Sequence, residues 1–459
     1  MADRCCNEFS RSSLMRRAAA EAGAGLPAIE RGMPLPAGTG LDRRTFVARS
    51  LGLALAIYGA GSLRLPAFED GILEAASAAP PSSPVLVSVF LDGGVDTLSL
   101  LAAVGDPDYR KLRPKLALPD SNLRVGGDDR LRWHPSTAAF KTLHDEGKLA
   151  LVPAIGYRDA DQSHFTSRHY WEVGATSARL RTGWLGRYLD RVGSNENPLQ
   201  GLSLDGELSP SLATGRVPVA ALRGAGEYSF WAPGVWGEVN DKMLEALGSL
   251  GATRKSADRA LATAGEVATQ SDRLRRQLAP FKNGGVTSPV AYPKHESEFP
   301  ERLAGLASLL GAGLPLRVVA LNAYGMYDTH SDQPQQLAES LKVTSESLFA
   351  FQRDLEARGL ADRVLTLVWS EFGRRAEENG SDGTDHGAAG TAMVIGSRVR
   401  GGLVGELPSL RNGLDRDGNL RATVDFRSVY CSLLEQWLGT DAAAVIPNAR
   451  AYNRVGLVR

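Results

Sequence analysis

The stretch RVLTLVWSEFGRRAEENGSDGTDHGAAGTAMVIG, from Arg363 to Gly396, decides the fold. Its first part, Val364 to Trp369, is apolar and partly β-branched, and no polar residue alternates with the apolar ones. That pattern predicts a buried strand of a parallel sheet. Ala392 to Ile395 predicts a second, neighbouring strand. We therefore predict an α/β fold with a mostly parallel central sheet flanked by helices.

Polar residues begin where the first of these strands ends. Ser370 and Glu371 follow Trp369 directly, and a glycine-rich loop then brings Asp385 and His386 in the sequence Gly-Thr-Asp-His-Gly. Open α/β sheets bind ligands at the carboxyl ends of their strands. Two carboxylates and an imidazole at one such edge predict a metal site or an acid/base site.

Two further predicted strands end in the same kind of residue. The apolar run 84–91 leads into Asp92-Gly-Gly-Val-Asp96, and the run 316–321 leads towards Asp328-Thr-His330. Mixed carboxylate and imidazole ligands suit Zn²⁺ or Mn²⁺, whereas an oxygen-dominated set would suit Ca²⁺ or Mg²⁺. For each pair alone, a solvated or hydrogen-bonded loop residue is the alternative. The predicted ligand set is Asp92, Asp96, Asp328, His330, Glu371, Asp385 and His386.

A predicted helix begins near Ser163. The Ser163 hydroxyl can cap that helix, a duty that needs no catalysis. The same position suits a nucleophile, because the positive end of the helix dipole attracts an anionic ester group. His164 is expected to be a ligand or an orienting group, and Arg168 and Arg374 are expected to meet developing negative charge.

Length and composition narrow the classes of protein. The 459 residues are 43% hydrophobic and suffice for one large α/β domain with insertions, or for two domains. Lys+Arg and Asp+Glu both number 52, so the chain carries no net positive charge that would attract nucleic acid. We therefore expect no nucleic-acid binding. We predict a single domain over 80–459 with a helical insertion at about 235–282.

The N-terminal 79 residues predict an extension with an export signal. Arg43-Arg44 precede a weakly apolar stretch, Leu51 to Leu63, and Ala76-Ser77-Ala78 offers a small-residue cleavage site. The apolar stretch is too short for a stable bilayer span, although a retained anchor is the alternative. After cleavage Cys431 would be the sole thiol, so no intramolecular disulfide is expected.

Taken together, these motifs resemble a bacterial protein family, the domain of unknown function 1501 family. The resemblance covers nearly the whole chain after the signal. The segments that carry it are Arg43-Arg44, Gly93-Gly94-Val95-Asp96, Ser163-His164-Phe165, Gly183 to Tyr188, Asp328-Thr329-His330, Ser370 to Arg374, Gly383 to Gly387 and Asp425-Phe426-Arg427.

That family is similar to the alkaline phosphatase and sulfatase superfamily. The resemblance implies an alkaline-phosphatase-like fold and an exported, metal-dependent hydrolase of phosphate or sulfate esters, with Ser163 or Thr166 as nucleophile. It also implies one or two divalent ions, Zn²⁺ first and Mn²⁺ or Ca²⁺ as alternatives. Glu371-Phe372 stands where the superfamily has Asp-His, so an imidazole ligand is missing and a site without metal is also open.

The alternative is a non-catalytic exported protein that keeps the fold as a binding or assembly module. The expected partners are an ester substrate, small or polymeric, and the twin-arginine translocase during export. No stable membrane span is expected after cleavage, and the expected location is the periplasm or the exterior.

Overall fold

The computed structural model describes residues 56–58, 83–225, 237–253, 259–282 and 286–459. The arginine pair Arg43-Arg44, the cleavage site Ala76 to Ala78, and all of the stretch Leu51 to Leu63 except Ala56–Tyr58 lie outside these residues.

A large mixed sheet and a small three-stranded sheet form the framework. The strands are β1 (Ala56–Tyr58), β2 (Val85–Phe90), β3 (Leu101–Ala102), β4 (Arg124–Val125), β5 (Asp128–Trp133), β6 (Leu149–Gly156), β7 (Gly201–Ser203), β8 (Val219–Ala221), β9 (Val318–Asn322), β10 (Val364–Trp369), β11 (Gly390–Ile395), β12 (Gly402–Leu403) and β13 (Val424–Asp425).

The large sheet has the order β1-β8-β7-β9-β2-β10-β11-β6-β12, with β13 also paired to β6. Most neighbours are parallel, including the central pairs β9–β2 and β2–β10. The pairs β1–β8, β10–β11 and β11–β6 are antiparallel. The predicted α/β class with a mostly parallel sheet is confirmed.

Helices cover both faces of this sheet. The α-helices are α1 (Thr97–Leu100), α2 (Tyr109–Leu112), α3 (Ala138–Asp145), α4 (His164–Val173), α5 (Trp184–Val192), α6 (Gly237–Thr253), α7 (Arg259–Leu278), α8 (Phe299–Gly311), α9 (Gln333–Ala357) and α10 (Phe426–Gln436). Alternate residues of β2 enter two separate cores, with Val85 and Val87 on the side of α8 and α9 and Leu86 on the side of α5 and α10. This alternation follows from the two-residue repeat of a strand.

The direction of β11 decides where the site lies. Because β11 runs antiparallel to β10, it begins beside the carboxyl end of β10, with Val368 opposite Met393. The long connection between these two strands therefore stays at the edge of the sheet where β2 and β9 also end. The predicted residues on these connections are brought to one edge.

Helices α6 and α7 pack against each other in the segment predicted as a helical insertion. Among the described residues, no helix is both long enough and apolar enough to cross a membrane.

Candidate metal centre

Three imidazoles surround one aspartate at the edge of the sheet. Asp328 Oδ2 lies 3.4 Å from His164 Nε2, and Asp328 Oδ1 lies 3.1 Å from His330 Nε2 and 3.3 Å from His386 Nε2. His330 Nε2 and His386 Nε2 are 3.0 Å apart. Donor atoms of His164, Asp328 and His386 all lie within 4.8 Å of one another. We call Asp328, His164, His330 and His386 the imidazole cluster.

Three separate connections supply the cluster. His164 is the first residue of α4, whereas Asp328 and His330 lie between β9 and α9. His386 lies between β10 and β11, and the two loops are joined by a backbone hydrogen bond from Thr384 N to Thr329 O of 3.0 Å. The cluster therefore depends on contacts between residues more than 50 positions apart.

Glu371 contacts the cluster through the ring of His164 and orients that ring. Its Oε1 lies 2.7 Å from His164 Nδ1 and accepts from Gly93 N at 3.0 Å, while Oε2 accepts from Gly94 N at 3.1 Å. Successive backbone amides form an anion-binding nest here, with φ values of +117° at Gly93 and +77° at Gly94. Glu371 thus fixes the ring of His164 and leaves His164 Nε2 facing Asp328.

Gly94 is also required for steric reasons. A Cβ atom at this position would come within 2.4 Å of the ring of Phe372, in a backbone conformation that side chains rarely adopt. The turn Asp92-Gly93-Gly94 therefore binds the Glu371 carboxylate through its backbone amides.

Backbone and carboxylate contacts fix the other two rings. His386 Nδ1 lies 2.8 Å from the carbonyl oxygen of Gln162, so this nitrogen donates and Nε2 carries the lone pair. His330 Nδ1 lies 3.3 Å from Asp385 Oδ1. Asp385 is thus beside the cluster, behind His330, and its side chain is 44% exposed.

The pKa values of Asp328, His164 and His386 are shifted in different directions. Burial would raise the pKa of Asp328, but the three imidazoles and Arg374 hold it well below its usual range. Burial alone would lower the pKa of His164, yet hydrogen bonds to Asp328 and Glu371 raise it to about 9. Burial lowers the pKa of His386 to about 4, so this ring is neutral near pH 7.

Arg374 links Asp328 of the cluster to the backbone around it. Its side chain is fully buried and donates to Asp328, to Gly93 O, to Gly94 O at 2.7 Å and to Thr384 O at 2.9 Å. Phe372 packs beside it, with ring centroids 4.8 Å from His164 and 4.9 Å from His386. Arg374 therefore holds two backbone segments and Asp328 together.

Two predicted ligands lie apart from the imidazole cluster. Both oxygens of Asp96 are bound by Arg113, at 2.5 and 2.8 Å, in a fully buried ion pair. Asp92 Oδ2 lies 3.5 Å from Arg168 Nη1, and Arg168 also donates to Glu172 at 2.8 Å. The sequence contained no signal for the role of Arg113, because arginines at this spacing from an aspartate are common.

Ser163 directly precedes the cluster as the N-cap residue of α4, and it is partly buried. The backbone around it is held by Ser163 N donating to Asp161 Oδ1 at 2.8 Å and by the Gln162 carbonyl accepting from His386. Thr166 is buried one turn further on.

The donor set fits a zinc ion. Zn²⁺ binds nitrogen and oxygen at about 2.0–2.1 Å, which places tetrahedral ligands roughly 3.3 Å apart. The four separations given above are 3.0–3.4 Å, and donor atoms of His164, Asp328 and His386 all lie within 4.8 Å of one another. The lone pair of neutral His386 Nε2 faces Asp328, so this nitrogen is able to coordinate an ion.

No curated protein sequence matches this chain. A protein in the alkaline phosphatase superfamily from Vibrio parahaemolyticus is 10% identical, with a TM-score of 0.36 over 86% of this chain and 76% of that one. The PsFucS1 sulfatase from Pseudoalteromonas sp. is 13% identical, with a TM-score of 0.35 over 84% and 78%. At these values neither protein's activity transfers to this chain.

One family model matches residues 150–440, which is more than half of the chain and includes every member of the imidazole cluster. Its description is "Protein of unknown function (DUF1501)". The resemblance seen in the sequence motifs is thereby confirmed, and the chain belongs to the DUF1501 family.

Proposed function

We propose that this protein is an exported, metal-dependent hydrolase of phosphate or sulfate esters. The observation that carries the proposal is the imidazole cluster, in which Asp328 lies 3.1–3.4 Å from the Nε2 atoms of three imidazoles, and donor atoms of His164, Asp328 and His386 all lie within 4.8 Å of one another. The resemblance to the alkaline phosphatase and sulfatase superfamily supplies the reaction class.

The ion would be held by His164, Asp328, His330 and His386. Zn²⁺ suits this nitrogen-rich set best. When bound, the metal would act as a Lewis acid that polarises the ester. Glu371 supports the site through His164 rather than as a ligand, since its two oxygens are held by the amides of Gly93 and Gly94 and by the ring.

Ser163 is the proposed nucleophile. It sits at the N-terminus of a ten-residue helix, where amide groups and the helix dipole favour the negative charge of an ester. Attack by its hydroxyl oxygen would form a bond to phosphorus or sulfur as the bond to the ester oxygen breaks, and the hydroxyl proton would end on the alcohol that leaves. Water would then hydrolyse the seryl ester, which releases phosphate or sulfate and restores the Ser163 hydroxyl. Arg168 lies on the same helix with a side chain that is 16% exposed, and it would stabilise that charge.

One observation favours the second candidate, a binding or assembly protein without catalysis. The Asp328 carboxylate already has a buried guanidinium, Arg374, as a charge partner. A saturated internal ion pair of this kind can hold a fold together without any ligand.

The test is metal content together with turnover. Protein folded in the cytoplasm should contain about one zinc per chain and should hydrolyse an aryl phosphate or an aryl sulfate. Ser163→Ala should abolish turnover and keep the metal, whereas Ser177→Ala, beyond the other end of α4, should change neither. Metal-free parent protein that turns over neither ester after zinc is added would favour the binding protein.

Export is tested separately. Arg43→Lys with Arg44→Lys should block passage through the twin-arginine translocase and leave the protein in the cytoplasm. Full recovery of this double variant outside the cytoplasm would contradict the assignment.

A further inference from the structure

A buried glutamine lies behind the imidazole cluster. Gln333 is the first residue of α9, three positions after His330, and its exposed fraction is 1%. The preceding residue, Asp332, has a φ of +49°, which turns the chain sharply from the cluster into the helix. The Gln333 side chain therefore starts beside the loop that carries Asp328 and His330.

The amide of Gln333 uses its whole hydrogen-bonding capacity. Its Oε1 accepts from Thr329 Oγ1 at 2.9 Å and from Thr384 Oγ1 at 2.7 Å. Its Nε2 donates to Asp96 Oδ2 at 2.6 Å and to Ser99 Oγ at 3.0 Å. Two acceptor sites and two donors are all that an amide offers.

The two threonines belong to the two loops that bear the cluster. Thr329 lies between Asp328 and His330, and Thr384 lies two residues before His386. Both threonine side chains are buried, with exposed fractions of 1% and 0%. A single amide oxygen therefore links the side chains of the two loops, beside the backbone hydrogen bond from Thr384 N to Thr329 O.

The ion pair of Asp96 and Arg113 fixes the orientation of that amide. Arg113 binds both Asp96 oxygens and also donates to Ala376 O and Arg375 O at 2.9 Å. A flipped amide would place Gln333 Oε1 against the Asp96 carboxylate, where two acceptors repel. Asp96 thus determines that Oε1 faces the threonine hydroxyls.

We propose that Gln333 is a positioning residue that sets the spacing of the two ligand loops of the imidazole cluster, with Asp96 and Arg113 as its anchor. Its effect on metal affinity rests on the proposed function, whereas its effect on the loops does not. Outer partners of metal ligands commonly change metal affinity 10- to 100-fold.

The experiment compares Gln333→Met with Gln352→Met. Gln352 is a buried glutamine of the same helix that donates to Glu356 and Ser397, and it lies about 28 Å further along the axis at 1.5 Å per residue. Both variants lose amide hydrogen bonds, but only the first should alter the cluster. The readouts are zinc affinity by chelator competition and hydrogen exchange of peptides covering 328–330 and 383–386.

Gln333→Met should weaken zinc binding about 10- to 100-fold relative to Gln352→Met. It should also speed exchange in both loops by about fivefold, since each loop loses one hydrogen bond that contributes about 1 kcal/mol. Zinc affinity and loop exchange that both stay within twofold of the Gln352→Met values would overturn the proposal. If the parent protein binds no zinc, the proposed function fails, and loop exchange alone decides the role of Gln333.

Thr329→Val and Thr384→Val provide a second route if Gln333→Met does not fold. Each removes one hydroxyl donor at nearly constant volume. Each should speed exchange in both loops, because the threonines share one acceptor atom. Faster exchange confined to the substituted loop would contradict the proposal.

Discussion

Two aspartates of this chain, one partly buried and one fully buried, have different surroundings. Asp328 faces three imidazoles as well as the Arg374 guanidinium, whereas Asp96 faces a guanidinium, an amide and a hydroxyl. Imidazoles can exchange a proton for a metal ion at neutral pH, but a guanidinium keeps its proton and cannot coordinate. The difference separates a carboxylate that is suited to ligation from one that anchors the loops around it.

Breaking the ion pair between Asp96 and Arg113 should have the largest effect on stability. Arg113→Met leaves the Asp96 charge buried without its partner, and this should lower the free energy of unfolding by about 3–5 kcal/mol. Chemical denaturation measures the change. The matched control is Lys115→Met, because Lys115 pairs with Asp382 at 2.6 Å with both side chains at least half exposed. Its removal should leave stability unchanged within error, and equal losses in the two variants would contradict the comparison.

Removing the metal should destabilise the site of the other aspartate, Asp328. Exhaustive chelation should lower the melting temperature, and the loss is about 2.7 kcal/mol if free zinc had stood at a hundredfold its dissociation constant. Asp328→Asn should melt at the same temperature with and without chelator. An unchanged melting curve for the parent, with no metal found before treatment, would remove the ion from the account.

A substitution of Glu371 tests whether this residue is a metal ligand or orients His164. We expect a smaller effect than in the two predictions above. Glu371→Gln keeps the shape of the side chain but loses the charge that the Gly93–Gly94 amides and His164 bind. Zinc affinity should fall about 10- to 100-fold, and excess ion should restore turnover. The exposed Glu339→Gln serves as the control. Turnover that excess zinc cannot restore would place Glu371 directly on the ion.

The sequence predicted the fold well because its signals are local. The run Val364 to Trp369 is the strand β10, residue for residue, and Ala392 to Ile395 lies within β11 (Gly390–Ile395). A continuous apolar run suffices to predict such strands. The antiparallel direction of β11 was not predicted, because an apolar run shows where a strand lies and not which way it pairs.

The site was predicted less completely. The sheet-edge rule predicted that Asp328, His330 and His386 lie close together, as they do, whereas His164 was predicted from its place at the start of a helix. It also selected Asp96, whose ion pair with Arg113 depends on a contact made only after folding. Short polar motifs therefore identify the edge of the sheet at which the site lies, but long-range partners decide whether a carboxylate there ligates or anchors.

The central claim is that the imidazole cluster binds one metal ion, and X-ray absorption at the zinc edge tests it most directly. The account predicts one zinc per chain, bound by three imidazole nitrogens and one carboxylate oxygen at about 2.0–2.1 Å. His386→Ala should lose one imidazole from that spectrum or lose the ion entirely. A protein that takes up no zinc, or a bound zinc without imidazole ligands, would contradict the account.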